Sequence, residues 1–243
     1  MLRPKKKWGQ NFLNDPNIAR KIISLLGDIS HKEVLEIGSG NGALTKLINA
    51  KKITAVEIDT TLCDSLRKID NLNLFIINED ILKADLNEII FDKIVGNLPY
   101  NISSQIIFKI LNHSNWSKAV FMIQKELADR IVSKEGSKQY GRISVMIQSI
   151  CNVKKEFNVS PNCFFPKPEV QSTVISLKKK TTKGLDYKNL HEIVKISFSQ
   201  RRKKIKNTLK DIVNYSELES FFEKRPEMLS IEDFIQISNT IKK

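Results

Sequence analysis

Along the first half of the chain, short apolar runs alternate with segments whose apolar residues recur at helical spacing. The runs are rich in Ile, Val and Leu, which is typical of strands buried on both faces. Because strand and helix alternate five times, the pattern predicts a parallel sheet with helices on both faces. The five predicted strands lie within residues 34–37, 53–59, 72–77, 94–95 and 119–123.

A basic arm precedes the first strand. Residues 1–16 contain three consecutive lysines at 5–7, and the lysines alone fit a solvated tail as well as a functional segment. The arm ends at a predicted helix that begins at Pro16. Asn14 or Asp15 can cap this helix, since both side chains accept hydrogen bonds from free N–H groups of a first turn.

After the fifth strand the pattern becomes less regular. A proline-rich loop over 161–168 carries Phe164 and Phe165. Either ring can form a stacking wall for a base, and a core phenylalanine that anchors the loop explains the pattern equally well. The other predicted elements of this region are a helix over 141–150 and strands over 157–159 and 170–177.

The lysine-rich stretch 178–184 is a predicted linker, because only helical patterns follow it. We therefore predict two domains, a large α/β domain over 1–180 and a small helical domain over 185–243. The predicted helices of the second domain include residues 190–198, 205–213, 218–222 and 231–241.

The first predicted strand runs directly into the glycine-rich segment 38–43. Glycines at this point let the backbone approach a ligand closely at a helix N-terminus. Glu57 ends the next strand, about 20 positions later, where a carboxylate can bind both hydroxyls of a ribose. A surface acid at a strand end is the alternative. The Gly-x-Gly-x-x-Ala spacing also fits a dinucleotide fold, so these residues predict a Rossmann-like domain for a nucleoside-containing cofactor without choosing one.

The third predicted strand ends close to Asp80. The carboxylate of Asp80 can accept a hydrogen bond from the amine of an adenine in the cofactor. Ile58 and Ile81 can enclose the adenine ring.

The fourth strand ends in the turn Gly96-Asn97-Leu98-Pro99-Tyr100. The side-chain oxygen of Asn97 and the carbonyl of Leu98 are two acceptors, and Pro99 makes the turn rigid. Tyr100 can lie against a flat heterocycle. Because ligands of open α/β sheets bind beyond the carboxyl ends of the strands, this turn can hold the exocyclic amine of a base such as adenine. An ordinary strand-to-helix turn with Tyr100 in the core is the alternative.

The charge of the chain indicates an anionic partner. Among 243 residues, 40 Lys and Arg face 27 Asp and Glu, which gives a net charge of +13. Such a balance favours a polyanion or an anionic membrane surface. The densest basic cluster lies within 200–206, and we predict phosphate contacts rather than a merely solvated face. The predicted RNA-binding residues are Arg201, Arg202, Lys203, Lys204 and Lys206.

Other composition features exclude several classes of protein. No apolar run is long enough to span a bilayer, and no secretory h-region follows Met1. The three cysteines are scattered, which fits a reduced cytoplasmic compartment better than a disulfide framework. His31, His113 and His191 do not cluster with Cys or acidic residues at ligand spacing, so we predict no metal.

The candidate chemistry is methyl transfer rather than hydride transfer. A dehydrogenase usually needs a His or Lys base, whereas the polar groups at these strand ends suit an amine. Methyl transfer from S-adenosylmethionine needs mainly positioning and electrostatics, because the sulfonium is already a good leaving group. The predicted catalytic residues are Asn97, Leu98, Pro99 and Tyr100.

Collinear motifs from about Trp8 to Asp211 resemble those of the small-subunit rRNA adenine dimethyltransferase family. They are Gly9-Gln10-Asn11-Phe12-Leu13, Glu36-Ile37-Gly38-Ser39-Gly40-Asn41-Gly42-Ala43-Leu44-Thr45, Val56-Glu57-Ile58-Asp59, Asn97-Leu98-Pro99-Tyr100-Asn101-Ile102-Ser103, Gln124-Lys125-Glu126, Tyr140-Gly141-Arg142-Ile143-Ser144-Val145-Met146, Phe164-Phe165-Pro166-Lys167-Pro168 and Phe198-Ser199-Gln200-Arg201-Arg202-Lys203-Lys204.

The resemblance implies a fold, a cofactor and a substrate. It implies a Rossmann-like S-adenosylmethionine-dependent methyltransferase with a mostly parallel sheet and a small all-helical C-terminal domain. The implied reaction places two methyl groups on each of two adjacent adenines near the 3′ end of small-subunit rRNA, late in subunit assembly, with Tyr100 and Phe164 stacking the target base. We expect a cytoplasmic monomer. The residues expected at the cofactor are Asn11, Leu13, Gly38, Gly40, Glu57, Ile58, Asp80, Ile81 and Asn97.

The glycine loop departs from the family pattern. Ser39 stands where the family usually has proline, and Asn41-Gly42 also varies. Neither change removes a backbone donor, so we expect a less rigid loop without loss of function.

Three other functions fit parts of the pattern. Large-subunit rRNA methylases of the macrolide-resistance type share Asn11-Phe12-Leu13 and the Asn-x-Pro-Tyr turn, but residues 198–210 argue against them. A non-catalytic assembly or transcription factor on the same fold is disfavoured by the intact strand-end residues. A DNA adenine methyltransferase is disfavoured because no segment resembles a sequence-reading domain.

Overall fold

The computed structural model describes residues 4–5, 8–113, 115–182, 184–213 and 219–241. The described residues form two compact units, one from Met1–Ala128 and Lys154–Lys179, the other from Asp129–Val153 and Lys180–Lys243. The last boundary between the units lies at 179–180. The segment 129–153, which the sequence assigns to the first domain, groups with the C-terminal helices in this division. The roles assigned to the two domains remain predictions.

The first unit is built on a seven-stranded sheet with the order β4-β3-β2-β5-β6-β9-β7. Strands β2 to β6 are parallel, and β9 pairs antiparallel with β6. The predicted mostly parallel sheet is confirmed. Its strands are β2 (Glu33–Ile37), β3 (Lys52–Glu57), β4 (Leu74–Asn78), β5 (Lys93–Asn97), β6 (Lys118–Gln124), β7 (Cys151–Val159) and β9 (Ser172–Lys179).

The strand order places a ligand crevice at β2 and β5. From β2 the chain builds outward through β3 and β4, and then returns to add β5 and β6 on the other side of β2. Such a reversal is a topological switch point, beyond whose carboxyl ends ligands bind. The glycine loop follows β2 and the Asn-Leu-Pro-Tyr turn follows β5, so both sequence features lie at this point.

A two-residue ribbon joins the N-terminal segment to the proline-rich loop. Strand β1 (Phe12–Leu13) pairs antiparallel with β8 (Phe164–Phe165), and Phe12 lies opposite Phe165. The sequence did not predict this pairing, because two-residue strands carry no recognisable periodicity. The ribbon brings the N-terminal motif to the main sheet.

The first helix begins at Pro16, as the sequence predicts. Asp15 accepts from the N–H groups of Asn17 and Ile18, so Asp15 is the cap of the first helix. The helix expected after the glycine loop is reduced to a 3-10 turn at Thr45–Leu47, because only residues 48–51 separate it from β3. The helices are α1 (Pro16–Ser24), α2 (Thr60–Leu66), α3 (Ser103–Leu111) and α4 (Lys125–Val132).

The second unit is helical. Tyr140, Phe198 and Phe234 form an aromatic core, with ring centroids 6.1 Å apart for the first pair and 5.6 Å for the second. The predicted helix over 218–222 appears as a 3-10 turn at Glu219–Phe221, and Leu218 lies outside the described residues. The helices are α5 (Arg142–Ile150), α6 (Tyr187–Ser199), α7 (Ile205–Leu209) and α8 (Ile231–Ser238). Within the described ranges, no helix has the length and apolar character needed to cross a bilayer.

Candidate active site

A cavity of about 230 Å³ opens beyond the carboxyl ends of the parallel strands. Every residue predicted at the cofactor lines it, together with the whole Asn-Leu-Pro-Tyr turn. The structure therefore brings these segments together, and their individual roles remain predictions. The predicted residues that line the cavity are Asn11, Leu13, Gly38, Gly40, Glu57, Ile58, Asp80, Ile81, Asn97, Leu98, Pro99 and Tyr100.

Glu57 is fixed by two backbone donors. Its Oε2 accepts from the N–H of Gly40 at 2.9 Å, and its Oε1 accepts from the N–H of Asp59 at 2.9 Å. Burial raises the pKa of this carboxyl, although the backbone hydrogen bonds oppose the rise. A carboxylate oxygen has more than one acceptor site, so Glu57 can still bind a pair of hydroxyls.

Gly40 must be glycine for two reasons. Its φ of +56° lies in the left-handed region, and a Cβ at this position would lie 3.2 Å from the ring of Phe12. The loop therefore passes close to the N-terminal ribbon while it donates to Glu57.

Glu36 is a buried acid that sequence reasoning did not assign to the site. It is 1% exposed, and burial raises its pKa from 4.5 to about 7, against the opposing hydroxyls of Thr45 and Ser39. Its Oε2 has no hydrogen-bond partner among the described residues. The sequence feature that could have identified it is an acidic residue within the otherwise apolar run 34–37, directly before the glycine loop.

Asn97 is oriented by the N-terminal segment. Its side-chain nitrogen donates to the carbonyl of Asn11 at 2.8 Å. Its side-chain oxygen therefore remains as an acceptor at the cavity. Gly96 permits this position, because a Cβ on it would lie 2.6 Å from the carbonyl oxygen of Ile37 in the neighbouring strand. The turn is also held by the N–H of Leu98, which donates to the carbonyl of Met122 at 3.0 Å.

Tyr100 lies at the cavity wall rather than in the core. Its hydroxyl is 2.6 Å from the hydroxyl of Ser172, which is fully buried at the start of β9. Burial raises the pKa of the phenol, and the hydrogen bond from Ser172 lowers it by less. The ring is thus held at its outer end, and its face is available for stacking.

Phe164 is not brought to the cavity. It is 4% exposed and packs in a hydrophobic cluster with residues that include Leu13 and Val159. Phe165 is 53% exposed. Phe164 thus lies in the core, as in the second of the two explanations that the sequence left open. Stacking of a base on Phe164 remains a prediction.

Asp59 attaches the N-terminal segment to the end of β3. Although Asp59 is buried, Lys5 Nζ lies 2.8 Å from its Oδ1 and Gln10 Nε2 lies 3.2 Å from its Oδ2. Burial raises its pKa, but the hydrogen bonds from Lys5 and Gln10 outweigh this and leave the pKa below its ordinary value. Of the three lysines at 5–7, Lys5 therefore has an intramolecular partner, and Lys6 and Lys7 lie outside the described residues.

The basic residues within 200–206 differ in whether they have an acidic partner. Arg201 pairs with Glu227 at 2.6 Å, and Glu223 pairs with both Lys204 and Lys206. These two lysines lower the pKa of Glu223 to about 2. Arg202 and Lys203 are exposed and form no ion pair with any residue that the structure describes. RNA binding by the cluster remains a prediction.

No group of three or more His, Cys, Asp or Glu side chains is placed to hold a metal ion in the described part of the chain. The cavity instead combines backbone donors, one fixed carboxylate, apolar walls and the acceptors of the turn. This donor set fits a nucleoside-containing cofactor that carries an amino acid portion. It also fits an incoming amine beside Asn97.

Known proteins resemble the chain over nearly its full length. A small-subunit rRNA methyltransferase A of Malacoplasma penetrans is 44% identical over 247 residues, which covers 96% of this chain and 90% of the relative. A crystal structure of a dimethyladenosine transferase from Plasmodium falciparum is 29% identical, with a TM-score of 0.85, and the match covers 95% of this chain and 99% of that one. The structure of the 23S rRNA methyltransferase ErmE is 23% identical with a TM-score of 0.74, over 94% of this chain and 100% of that one.

The fold and site define a Rossmann-like methyltransferase whose cofactor is S-adenosylmethionine, as the sequence predicted. The family model described as ribosomal RNA adenine dimethylase matches residues 1–243, and the chain belongs to this family.

Proposed function

We propose that the chain methylates the exocyclic amine of adenine in small-subunit rRNA. The proposed product carries two methyl groups on each of two adjacent adenines near the 3′ end. The support for this substrate is the 44% identity, over almost the whole chain, to a protein named as a small-subunit rRNA methyltransferase. We further propose that the protein acts as a cytoplasmic monomer on the immature subunit, late in assembly.

The observation that carries the proposal is the hydrogen bond from Asn97 Nδ2 to the carbonyl of Asn11. With the nitrogen engaged, Asn97 offers its oxygen to the target amine. A second acceptor, the carbonyl of Leu98, lies in the same turn. Two acceptors on one NH₂ group draw its hydrogens into a fixed plane and direct the nitrogen lone pair toward the methyl group. This arrangement needs no general base before the transfer.

The residues around the cavity hold the two reactants. When bound, S-adenosylmethionine supplies a methyl group on a positively charged sulfur. Glu57 binds the ribose hydroxyls, Asp80 accepts from the adenine amine, and Ile58 and Ile81 enclose the adenine ring. The half-buried ring of Tyr100 stacks on the target base, since an aromatic face binds a flipped base without requiring a charge.

Arg202 and Lys203 are proposed to contact RNA phosphates. Both are exposed, whereas their basic neighbours have acidic partners. The net charge of +13 supports a polyanionic substrate. Activity on large-subunit rRNA is the alternative, but the 23% identity to ErmE supports a common fold alone.

The extent of methylation tests this proposal. Immature small subunits would be incubated with S-adenosylmethionine, and the 3′ fragment of the rRNA would be analysed by mass over time. We expect monomethyladenine to appear first and dimethyladenine to accumulate at two adjacent positions. A product that stops at one methyl group, or a single modified adenine, would contradict the proposed dimethylation while leaving adenine methylation intact.

A further inference from the structure

A second cavity lies against Tyr100. It has a volume of about 370 Å³ and is lined by Gly9, Asn11, Tyr100, Asn101 and Gln124. Four of these residues also line the first cavity, whereas Gln124 lines only the second. Three carboxamides around an aromatic ring, with no charged side chain in the lining, suit a flat, uncharged, polar group such as a nucleobase.

The sheet register places the side chain of Gln124 beside Tyr100. Gln124 ends β6 and lies directly opposite Ser172 of β9. Directly opposed residues of an antiparallel pair project to the same face, with Cβ atoms about 5 Å apart. The hydroxyl of Ser172 is 2.6 Å from that of Tyr100, so Gln124 is next to the outer end of the ring.

The same strand also connects Gln124 to the amine-binding turn. Met122, two residues earlier, lies opposite Asn97 in the parallel pair and accepts from the N–H of Leu98. Residues two apart on a strand point to the same face. Gln124 is therefore the next side chain along this face, beyond the point at which the turn holds an amine.

The amide of Gln124 has unused hydrogen-bonding capacity. Two of the neighbouring amides have partners, since Asn97 donates to Asn11 and Asn11 donates to the carbonyl of Gly9 at 3.3 Å. The third, Asn101, is exposed, whereas Gln124 is half-buried. The side chain of Gln124 is half-buried and makes no hydrogen bond with any residue that the structure describes. The amide is therefore free to exchange its water for a ligand hydrogen bond at the cavity.

We propose that Gln124 recognises the target base by donating a hydrogen bond to a ring nitrogen of the adenine whose amine is held at Asn97 and Leu98. Adenine carries acceptors next to its amine at N1 and N7, and a glutamine amide is complementary to that edge. Guanine has a donor at N1 and an oxygen in place of the amine. A donor aimed at N1 discriminates against guanine, whereas N7 is an acceptor in both purines, so Gln124 contributes to base selection only through N1 and otherwise positions the adenine. This role rests on the proposed function of the site.

Replacing single atoms of the substrate tests the proposed contact. Small subunits would be reconstituted with rRNA whose 3′ fragment is synthetic and carries adenosine, 1-deazaadenosine or 7-deazaadenosine at the target position. Wild type and Gln124→Met would be compared. Gln236→Met, an exposed substitution in α8, serves as the matched control. The measured quantities are kcat/KM for the RNA, the Kd of S-adenosylhomocysteine and the thermal midpoint.

Wild type should lose about 10- to 100-fold in kcat/KM with one of the two deaza substrates, because the Gln124 donor is then left without a partner in the closed site. Gln124→Met should lose a similar factor with adenosine and show no additional loss with that same deaza substrate. Its cofactor Kd and thermal midpoint should match those of the control.

Two results would overturn the inference without affecting the proposed function. One is a Gln124→Met variant whose kcat/KM for adenosine stays within twofold of wild type. The other is a Gln124→Met variant that shows the same loss as wild type with the deaza substrate to which wild type is sensitive. If wild type itself transfers no methyl group to adenosine in these subunits, the proposed function fails, and the role of Gln124 fails with it.

Discussion

The side-chain nitrogen of Asn97 lies 2.8 Å from the main-chain oxygen of Asn11 and donates to it. This hydrogen bond joins the end of β5 to the segment that leads into β1. A carboxamide has one nitrogen and one oxygen, so engaging the nitrogen leaves the oxygen at the cavity. The N-terminal segment thereby determines that Asn97 offers an acceptor, the group that an amine substrate requires.

Replacing Asn97 should separate methyl transfer from RNA binding. Asn97→Ala removes the acceptor, and we expect kcat to fall by at least about 100-fold, as for the loss of one preorganised hydrogen-bond partner. The affinity for RNA in the absence of cofactor should change little. Filter binding and transfer of labelled methyl groups measure the two quantities. Exposed Asn112→Ala provides the control, and substantial turnover by Asn97→Ala would eliminate the amine-holding role.

Breaking the contacts of Asp59 should weaken cofactor binding. Asp59→Asn keeps a good N-cap for α2, because asparagine caps nearly as well as aspartate, but it loses the charge that attracts Lys5. We expect Asp59→Asn and Lys5→Met each to raise the Kd of S-adenosylhomocysteine several-fold, as the segment over the cavity becomes less ordered.

Calorimetry measures this Kd. Emission from Trp8, whose ring lies 4.6 Å from Lys5 Nζ, reports the position of the segment in a Trp116→Phe background. The exposed substitution Lys68→Met is the control. Unchanged affinity and unchanged Trp8 emission in both variants would show that the contacts of Asp59 do not support the site.

The buried carboxyl of Glu36 should make stability depend on pH. Its pKa rises from 4.5 to about 7 on folding, so between these values the folded chain keeps a proton that the unfolded chain releases. Stability therefore falls as pH rises through this interval, by roughly 3 kcal/mol at about 1.4 kcal/mol per unit. Glu36→Gln mimics the protonated form and should be more stable than wild type at pH 8, with no difference near pH 4.

Urea unfolding across this pH range measures the difference. Glu88→Gln, an exposed acid in the same unit, should show no such trend. A stability difference between Glu36→Gln and wild type that is the same at every pH would contradict the assignment of the titration to Glu36.

The divided basic cluster predicts unequal contributions to RNA binding. Neutralising Arg202 and Lys203 together should reduce the slope of log K against log salt by about 1.4 on single-stranded RNA and by about 1.8 on a duplex, if each contacts one phosphate. Glu223→Gln should have the opposite effect, because it releases Lys204 and Lys206 from their ion pairs.

Lys32→Ala with Lys51→Ala is the matched control, since it removes two charges of the first unit that pair with Asp92 and Glu33 at 3.5 and 3.7 Å. An unchanged salt slope after loss of Arg202 and Lys203 would show that the cluster is a solvated face and does not contact RNA.

Strongly patterned segments could be predicted from the sequence. The run Val34–Ile37 is central in the sheet, between β3 and β5, and its side chains are buried on both faces, as its apolar residues indicate without any knowledge of the partners. The strand-end residues Glu57 and Asn97 could be assigned for a related reason, because parallel strands place their carboxyl ends at one edge. Both line the same cavity.

Features that depend on distant partners could not be predicted. The pairing of Phe12 with Phe165 and the hydrogen bond between Tyr100 and Ser172 join residues far apart in sequence. Neither leaves a periodic signal. The grouping of residues 129–153 with the C-terminal helices likewise depends on packing around Tyr140, whose contacts with Phe198 no local pattern reveals.

The most direct test offers three substrates side by side to the enzyme with labelled S-adenosylmethionine. Immature small subunits, large-subunit rRNA and duplex DNA would be incubated separately, and the modified base would be identified by mass. The account predicts methylated adenine in small-subunit RNA alone, and none with Asn97→Ala. Label in large-subunit rRNA or DNA, or no label on small subunits that still bind the protein, would contradict it.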